Sequence, residues 1–149
     1  MITFVGTQSD FYDALNSLLE LEFEALEIYE AAINRLENQD YKHKLQEFKK
    51  DHKNHVETIS NYLKENGKDA VNKPGGKQLL AIAGISFSSI MGDQNVLKSL
   101  LGAEEDTNKA YERITSHEQK SQEFSDKLWS FYDDEKRHKA WIERTTKDE

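Results

Sequence analysis

Four long stretches of this chain place apolar residues at alternating steps of three and four. The first runs through Phe11, Leu15, Leu18, Glu22, Ala25, Tyr29 and Leu36, and the second through Tyr41, Leu45, Phe48, His52, His55, Ile59 and Tyr62. Leu97, Leu100, Glu104, Tyr111 and Ile114 share the third face, and Phe124, Leu128, Phe131, Glu135, His138 and Ile142 the fourth. This spacing lines residues along one side of a helix. Every stripe is interrupted near its middle by Glu or His. One such intrusion is a local accident, whereas four at mid-helix predict a single polar site at the centre of a four-helix bundle. An unpaired carboxylate buried there costs several kcal/mol, on the order of the whole stability margin. Something must neutralise these groups, and a metal is the economical candidate.

The expected boundaries follow from caps and breakers. Helix α1 is expected over about 8–37, starting after Thr7 or Ser9, either of which can cap it. Asn38-Gln39-Asp40 makes a short turn, so α2, over about 40–66, should lie antiparallel to α1 and stop at Gly67. The connection 67–92 opens with the breaker cluster Lys73-Pro74-Gly75-Gly76, and its apolar part Leu79–Met91 suggests a short helix covering one end of the bundle. Helix α3 is expected over about 93–116 with Asp93 as its cap. After a turn at Ser116–Ser121, α4 is expected from 119 or 121 to about 145. A long link between α2 and α3 permits a crossover. The predicted fold class is all-α, an antiparallel four-helix bundle with a long crossover containing a short extra helix, in one domain over 1–149.

A weak internal repeat supports this. Glu22 and Tyr29 correspond to Glu104 and Tyr111 at an offset of 82 residues, and His52 and His55 to Glu135 and His138 at an offset of 83. The chain reads as two helical hairpins whose polar midpoints meet when they pack face to face.

Composition narrows the function. One proline and seven glycines leave long stretches free to be helical, and no convincing strand alternation interrupts them. A net charge of −8 without a basic block points away from nucleic acid and from anionic lipid. With no cysteine, disulfides, thiolate zinc sites and iron–sulfur clusters are excluded. The N-terminus lacks signal-peptide features, and Leu79–Met91 is broken by Gly84 and shorter than the roughly 20 residues of a membrane span, so a cytoplasmic location is expected.

Any metal must therefore be held by carboxylate and imidazole. Glu135 and His138, three apart, point the same way from one helix, as do His52 and His55. With Glu22 and Glu104 they make three carboxylates and three imidazoles on four helices, a set that suits iron, manganese or zinc better than calcium or magnesium. The competing reading is a closed, metal-free Glu/His network, with pairs such as His52–Glu104 or His138–Glu22 fixing helix register. His43 and His117, near turns, are expected to face solvent. Tyr29 and Tyr111 read as core, with a role beside the metal ligands or as a radical site as the alternative, although each lies roughly 10 Å along its helix from the matching Glu. Glu20, Glu24, Glu27 and Glu30 read as a solvated face with Glu27 the exception, and Trp129 and Trp141 as packing residues.

At these residues the chain resembles the ferritin-like superfamily, including bacterioferritin and rubrerythrin. The stretch Leu19-Glu20-Leu21-Glu22-Phe23-Glu24-Ala25-Leu26-Glu27-Ile28-Tyr29 looks like a ferritin-like metal-binding helix. Asp51-His52-Lys53-Asn54-His55 and Asp106-Thr107-Asn108-Lys109-Ala110-Tyr111-Glu112-Arg113 are similar to an uncharacterised bacterial ferritin-like family of small bundles. The resemblance covers about residues 8–66 and 93–145. It implies a di-iron site in which Glu22, Glu104, His55 and His138 are terminal ligands and Glu135 a bridge. The departure is His52, where the superfamily has a second bridging Glu. His52 would replace that bridge, but a neutral imidazole cannot bridge as a carboxylate does, and one negative charge is lost. Asp51 is the candidate substitute, but it lies one position away and about 100° round the helix from His52.

The resemblance implies a site that reacts with oxygen or peroxide, as a ferroxidase-like or peroxidase-like oxidoreductase in iron or oxidative-stress handling. It also suggests a homodimer. No fifth-helix pattern follows α4, which points away from a storage cage, and the absence of cysteine points away from a rubrerythrin-type electron relay. The alternative is a non-enzymatic interaction or dimerisation module with a polar core and Leu79–Met91 as the partner surface. A metal-stabilised bundle without turnover is the third reading.

Overall fold

A computed structural model of the chain describes residues 3–75 and 90–146. They form four helices: α1 Phe11–Arg35, α2 Gln39–Glu65, α3 Asp93–Thr115 and α4 Gln122–Thr146. The expected helix within Leu79–Met91 lies outside the described residues apart from Ile90 and Met91. Ile90 is buried and accepts at its carbonyl from Arg35 Nε at 2.6 Å, while Met91 is exposed.

The caps differ in part from expectation. Asp10, rather than Thr7 or Ser9, caps α1 by accepting from the Asp13 N–H at 3.0 Å, because the Thr7 hydroxyl already closes the preceding turn on the Phe4 carbonyl. Asn38 caps α2 through the Tyr41 N–H. Gly67, at φ +71°, ends α2 as expected. The Gly67 N–H bonds Lys64 O and the Lys68 N–H bonds Leu63 O, the double closure that a left-handed residue permits after a helix. Asp93 does not cap α3, whose cap position is Gly92. The Asp93 carboxylate instead accepts from the backbone N–H groups of Glu37 and Asn38, at 2.9 and 2.8 Å, and staples the start of α3 to the α1–α2 turn.

These tethers fix the topology. The start of α3 lies beside the end of α1, and Gln94 donates to Thr145 O at the end of α4. At the opposite end Tyr12 of α1 donates to Asn66 beyond α2, and the His117 ring meets Gln8 O. Helix α1 packs against α2 and α3, and α4 against α3 and α2, so α2 and α3 occupy a diagonal and run the same way. A helix of 27 residues, like α2, is about 40 Å long, so the α2–α3 connection must travel the length of the bundle. Its first part lies along α1: Asn16 donates to Asp69 O and accepts from the Val71 N–H.

Every residue of the four stripes is buried except Tyr41, which is half-buried. Helix α1 is buried most nearly all round, since Leu21, Glu24 and Ile28 lie inside as well. Glu24 is thus the buried member of its charged run and Glu27 is exposed, the reverse of expectation. Trp141 packs edge-on to Phe48 and Tyr41, as expected, whereas Trp129 is exposed beneath Lys120. His43 is exposed, and His117 is half-buried against Phe11. No described helix is long and apolar enough to cross a membrane.

Candidate metal centre

The polar residues of the stripes meet at mid-bundle. Glu22, His52, His55, Glu104, Glu135 and His138 are all buried, at 0–1 % exposure. The helical spacing explains why. The i, i+3 pairs on α2 and α4 each present two side chains to the axis, and α1 and α3 each add one carboxylate.

The six form two overlapping groups of four. Glu22, His52, His55 and Glu135 make one; His52, Glu104, Glu135 and His138 make the other, with the ligand atoms of each group within 4.8 Å of one another. In the first, Glu22 Oε2 lies 3.0 Å from His52 Nδ1 and 3.2 Å from His55 Nδ1, and Glu135 Oε1 is 3.4 and 3.5 Å from the same two nitrogens. In the second, His138 Nδ1 lies 3.4 Å from Glu135 Oε2 and 3.7 Å from Glu104 Oε1, which is 3.6 Å from His52 Nε2. His52 and Glu135 belong to both groups.

Among the described residues, four buried ligand atoms here have no hydrogen-bond partner: Glu22 Oε1, His52 Nε2, Glu135 Oε1 and His138 Nδ1. Leaving a buried polar atom unpaired costs about 1–3 kcal/mol. One such atom alone would read as strain, whereas four around one centre fit the donor set of a metal site. Ligands on one ion, each about 2.0–2.2 Å from it, lie about 3–4.4 Å apart, close to the spacing of these groups.

The outer faces of two imidazoles are also held. His55 Nε2 lies 2.8 Å from Asp134 Oδ2, and His138 Nε2 lies 2.8 Å from Asp51 Oδ2. Each Asp sits immediately before a site residue of its own helix and meets the histidine of the other. Arg137 donates to both, at 2.7 and 3.1 Å. Such partners fix which ring nitrogen faces a metal and raise its basicity. Asp51 is therefore no substitute for a carboxylate at position 52: the helix turns it outward to His138.

Two tyrosines close the site. The Tyr29 hydroxyl donates to Glu104, so Tyr29, about 10 Å along α1 from Glu22, reaches the carboxylate of the other hairpin. Thr107 Oγ1 donates to Glu104 O at 3.0 Å and lies 3.3 Å from both Glu104 Oε2 and Glu135 Oε2. Tyr111 is buried, 5.7 Å between ring centroids from His55. Phe48 stacks on His138 at 4.2 Å, and Phe131 covers His55 at 4.3 Å.

Electrostatics follow the geometry. Burial by itself would raise the Glu22 pKa, but the charges of His52 and His55 outweigh it and hold it at about 2. Glu104 is likewise lowered against burial, by the neighbouring imidazoles of His138 and His52. Burial opposes charge on the imidazoles too, yet the surrounding carboxylates win. His52 is raised to about 10 by Glu135 and Glu22, His55 to about 12 by Glu22 and Asp134, and His138 to about 11 by Asp51 and Glu104. Burial, then the Glu104 and Glu135 charges, push Tyr29 well above its ordinary value. With no metal the cluster is thus a network of imidazolium and carboxylate, and metal entry must expel protons.

The six residues expected from the sequence all converge. Of its two pairings, His52–Glu104 is present at 3.6 Å, although the shorter contact of His52 is with Glu22, whereas His138 meets Asp51 rather than Glu22. Asp134, Arg137 and Thr107 were missed, and Tyr29 takes the alternative expected for it, beside a site carboxylate. A signal existed for the aspartates, because Asp51 and Asp134 repeat at the same 83-residue offset as the histidines. Thr107 stood within the Asp106–Arg113 stretch of family resemblance without a role, and nothing in the sequence marked Arg137.

Fold and site together define an all-α four-helix protein with a buried His/Glu cluster suited to metal. The chain belongs to the family described as a domain of unknown function (DUF2383), whose profile matches residues 10–118. The match spans α1 to α3, with Glu22, His52, His55 and Glu104; Glu135 and His138 lie beyond it on α4. No curated protein and no solved structure matches the chain.

Proposed function

We propose that this is a ferritin-like di-metal protein whose two ions are iron, reacting with oxygen or peroxide. The observation that carries the reading is the pair of overlapping four-residue groups, with four orphaned ligand atoms in a fully buried centre. Glu22, His55, Glu104, His138 and Glu135 would hold the ions, with Glu22 and His55 in one group, Glu104 and His138 in the other and Glu135 in both. Two ferrous ions supply two electrons, enough with two protons to take one peroxide to two waters. Asp134 and Asp51 keep the Nδ1 faces of His55 and His138 turned inward, and Tyr29 holds Glu104 in place. Phe48 and Phe131 keep water from the rings. Manganese and zinc suit the same donors; three carboxylates beside three imidazoles are compatible with iron.

Anaerobic Fe(II) titration followed by oxygen or peroxide tests this. The expected result is two irons per chain and a near-ultraviolet band that appears on oxidation and is lost in Glu104→Ala. Metal binding without oxidation leaves a metal-stabilised bundle. No binding removes the reading and favours the metal-free alternative, for which the imidazolium–carboxylate pairing is the supporting observation: every site histidine already has an acidic neighbour within 3.0 Å.

A further inference from the structure

The residue that sets this centre apart is His52. Resting on the di-metal reading above, we infer that His52 binds both ions at once, one on each ring nitrogen, as an imidazolate bridge.

The three site histidines are not equivalent. His55 and His138 each turn Nδ1 inward and spend Nε2 on an outer aspartate. His52 has no outer aspartate. Its Nδ1 lies among the first group, 3.0 Å from Glu22 Oε2 and 3.4 Å from Glu135 Oε1, and its Nε2 faces the second group, 3.6 Å from Glu104 Oε1 and without a hydrogen bond. The ring is fully buried between the two groups, 4.9 Å from Tyr29 and 5.2 Å from His138 between centroids. Both of its nitrogens are therefore directed at carboxylates that serve different ions.

Charge favours the same arrangement. Two divalent ions bring four positive charges, and the fully buried carboxylates Glu22, Glu104 and Glu135 bring three negative ones. An uncompensated buried charge is costly. A neutral imidazole carries one ring N–H; when the second ion takes that nitrogen, the proton leaves to solvent and the ring becomes the fourth anion. Asp51, Asp134 and Arg137 lie at the partly exposed rim, where water screens them. Two bonds of about 2.0–2.1 Å on either side of the ring set the ions about 6 Å apart, against about 3.5–4 Å in carboxylate-bridged pairs. Glu135 has one oxygen beside each group, Oε1 near His52 and His55 and Oε2 near His138.

Co(II) tests the inference on the full chain. Calorimetric titration of the wild-type protein should give two ions per chain. X-ray absorption of that sample should then show imidazole scattering and no cobalt–cobalt shell near 3.5–4 Å. In His52→Ala, with folding checked by circular dichroism, both association constants should fall at least about 10-fold, because one side chain serves both ions. His55→Ala should weaken one ion only. A short cobalt–cobalt shell in the wild type, or a His52→Ala loss confined to one ion, overturns the bridge while leaving the di-metal reading intact. Fewer than two ions per wild-type chain overturns both.

Discussion

Raising the pH of the metal-free protein should unfold it. In the folded chain His52, His55 and His138 keep their protons up to about 10, 12 and 11. In the unfolded chain they lose them near the ordinary value of about 6.5. The stabilisation from these pairs is therefore fully present below about pH 6.5 and is lost as pH rises toward the folded values. Each histidine that is protonated only in the folded state removes about 1.4 kcal/mol per pH unit. Because the three share carboxylates, one histidine sets a lower bound of about 1.4 kcal/mol per unit and three an upper bound of about 4. Against a typical margin of about 5–15 kcal/mol, two pH units above neutrality are a large fraction of the total. Glu22 acts oppositely: its folded pKa is about 2, so its contribution is present above about pH 4.5 and is lost as pH falls through 2. Maximum metal-free stability should fall between about pH 4.5 and 6.5. Urea unfolding followed by circular dichroism in chelator, at pH 5.5, 7, 8 and 9, measures the slope. Constant or rising stability from pH 5.5 to 8 refutes the imidazolium network. Saturating Zn(II) or Co(II) should reduce or reverse the slope, since metal takes the deprotonated imidazole and stabilises by mass action.

Three further outcomes are expected. Asp134→Ala frees His55 Nε2 and should weaken Co(II) binding at one ion by about 10- to 100-fold with little change at the other; an equal loss at both contradicts the assigned pairing. Tyr29→Phe removes a buried hydrogen bond to a carboxylate and should cost about 1.5–3 kcal/mol in metal-free urea unfolding; a change below about 0.5 kcal/mol means that the hydroxyl does not hold Glu104. Phe48→Ala leaves a cavity against His138 and Trp141 and should cost about 3–5 kcal/mol; a small loss indicates that the centre collapses around it.

The legibility of this chain in its sequence divides along a physical line. Periodicity gives the helices and their inward faces because side-chain direction follows local backbone geometry: Phe11, Leu18, Glu22 and Tyr29 fall on one side of α1 whatever packs there. The turn at Asn38 and the stop at Gly67 are local for the same reason, each depending on a few neighbouring N–H and C=O groups. The convergence of Glu22, His52, His55, Glu104, Glu135 and His138 was legible too, because helices of similar length with polar midpoints bring those midpoints to one level when packed.

What only the tertiary structure decided is which partners meet across helices. Asp93 is a good helix cap by sequence, yet its carboxylate serves the α1–α2 turn, a choice made by where α3 starts in space. Glu24 and Glu27 differ by less than one helical turn, and burial of one but not the other depends on what packs outside α1. Tyr29 reaches Glu104, and Asp51 and Asp134 reach each other's histidines, because the hairpins cross at a particular rotation that no local rule fixes. His52 shows the division most clearly. The sequence established that an imidazole stands where a second carboxylate was expected, and the packed bundle alone determined that each of its two nitrogens faces a different carboxylate group.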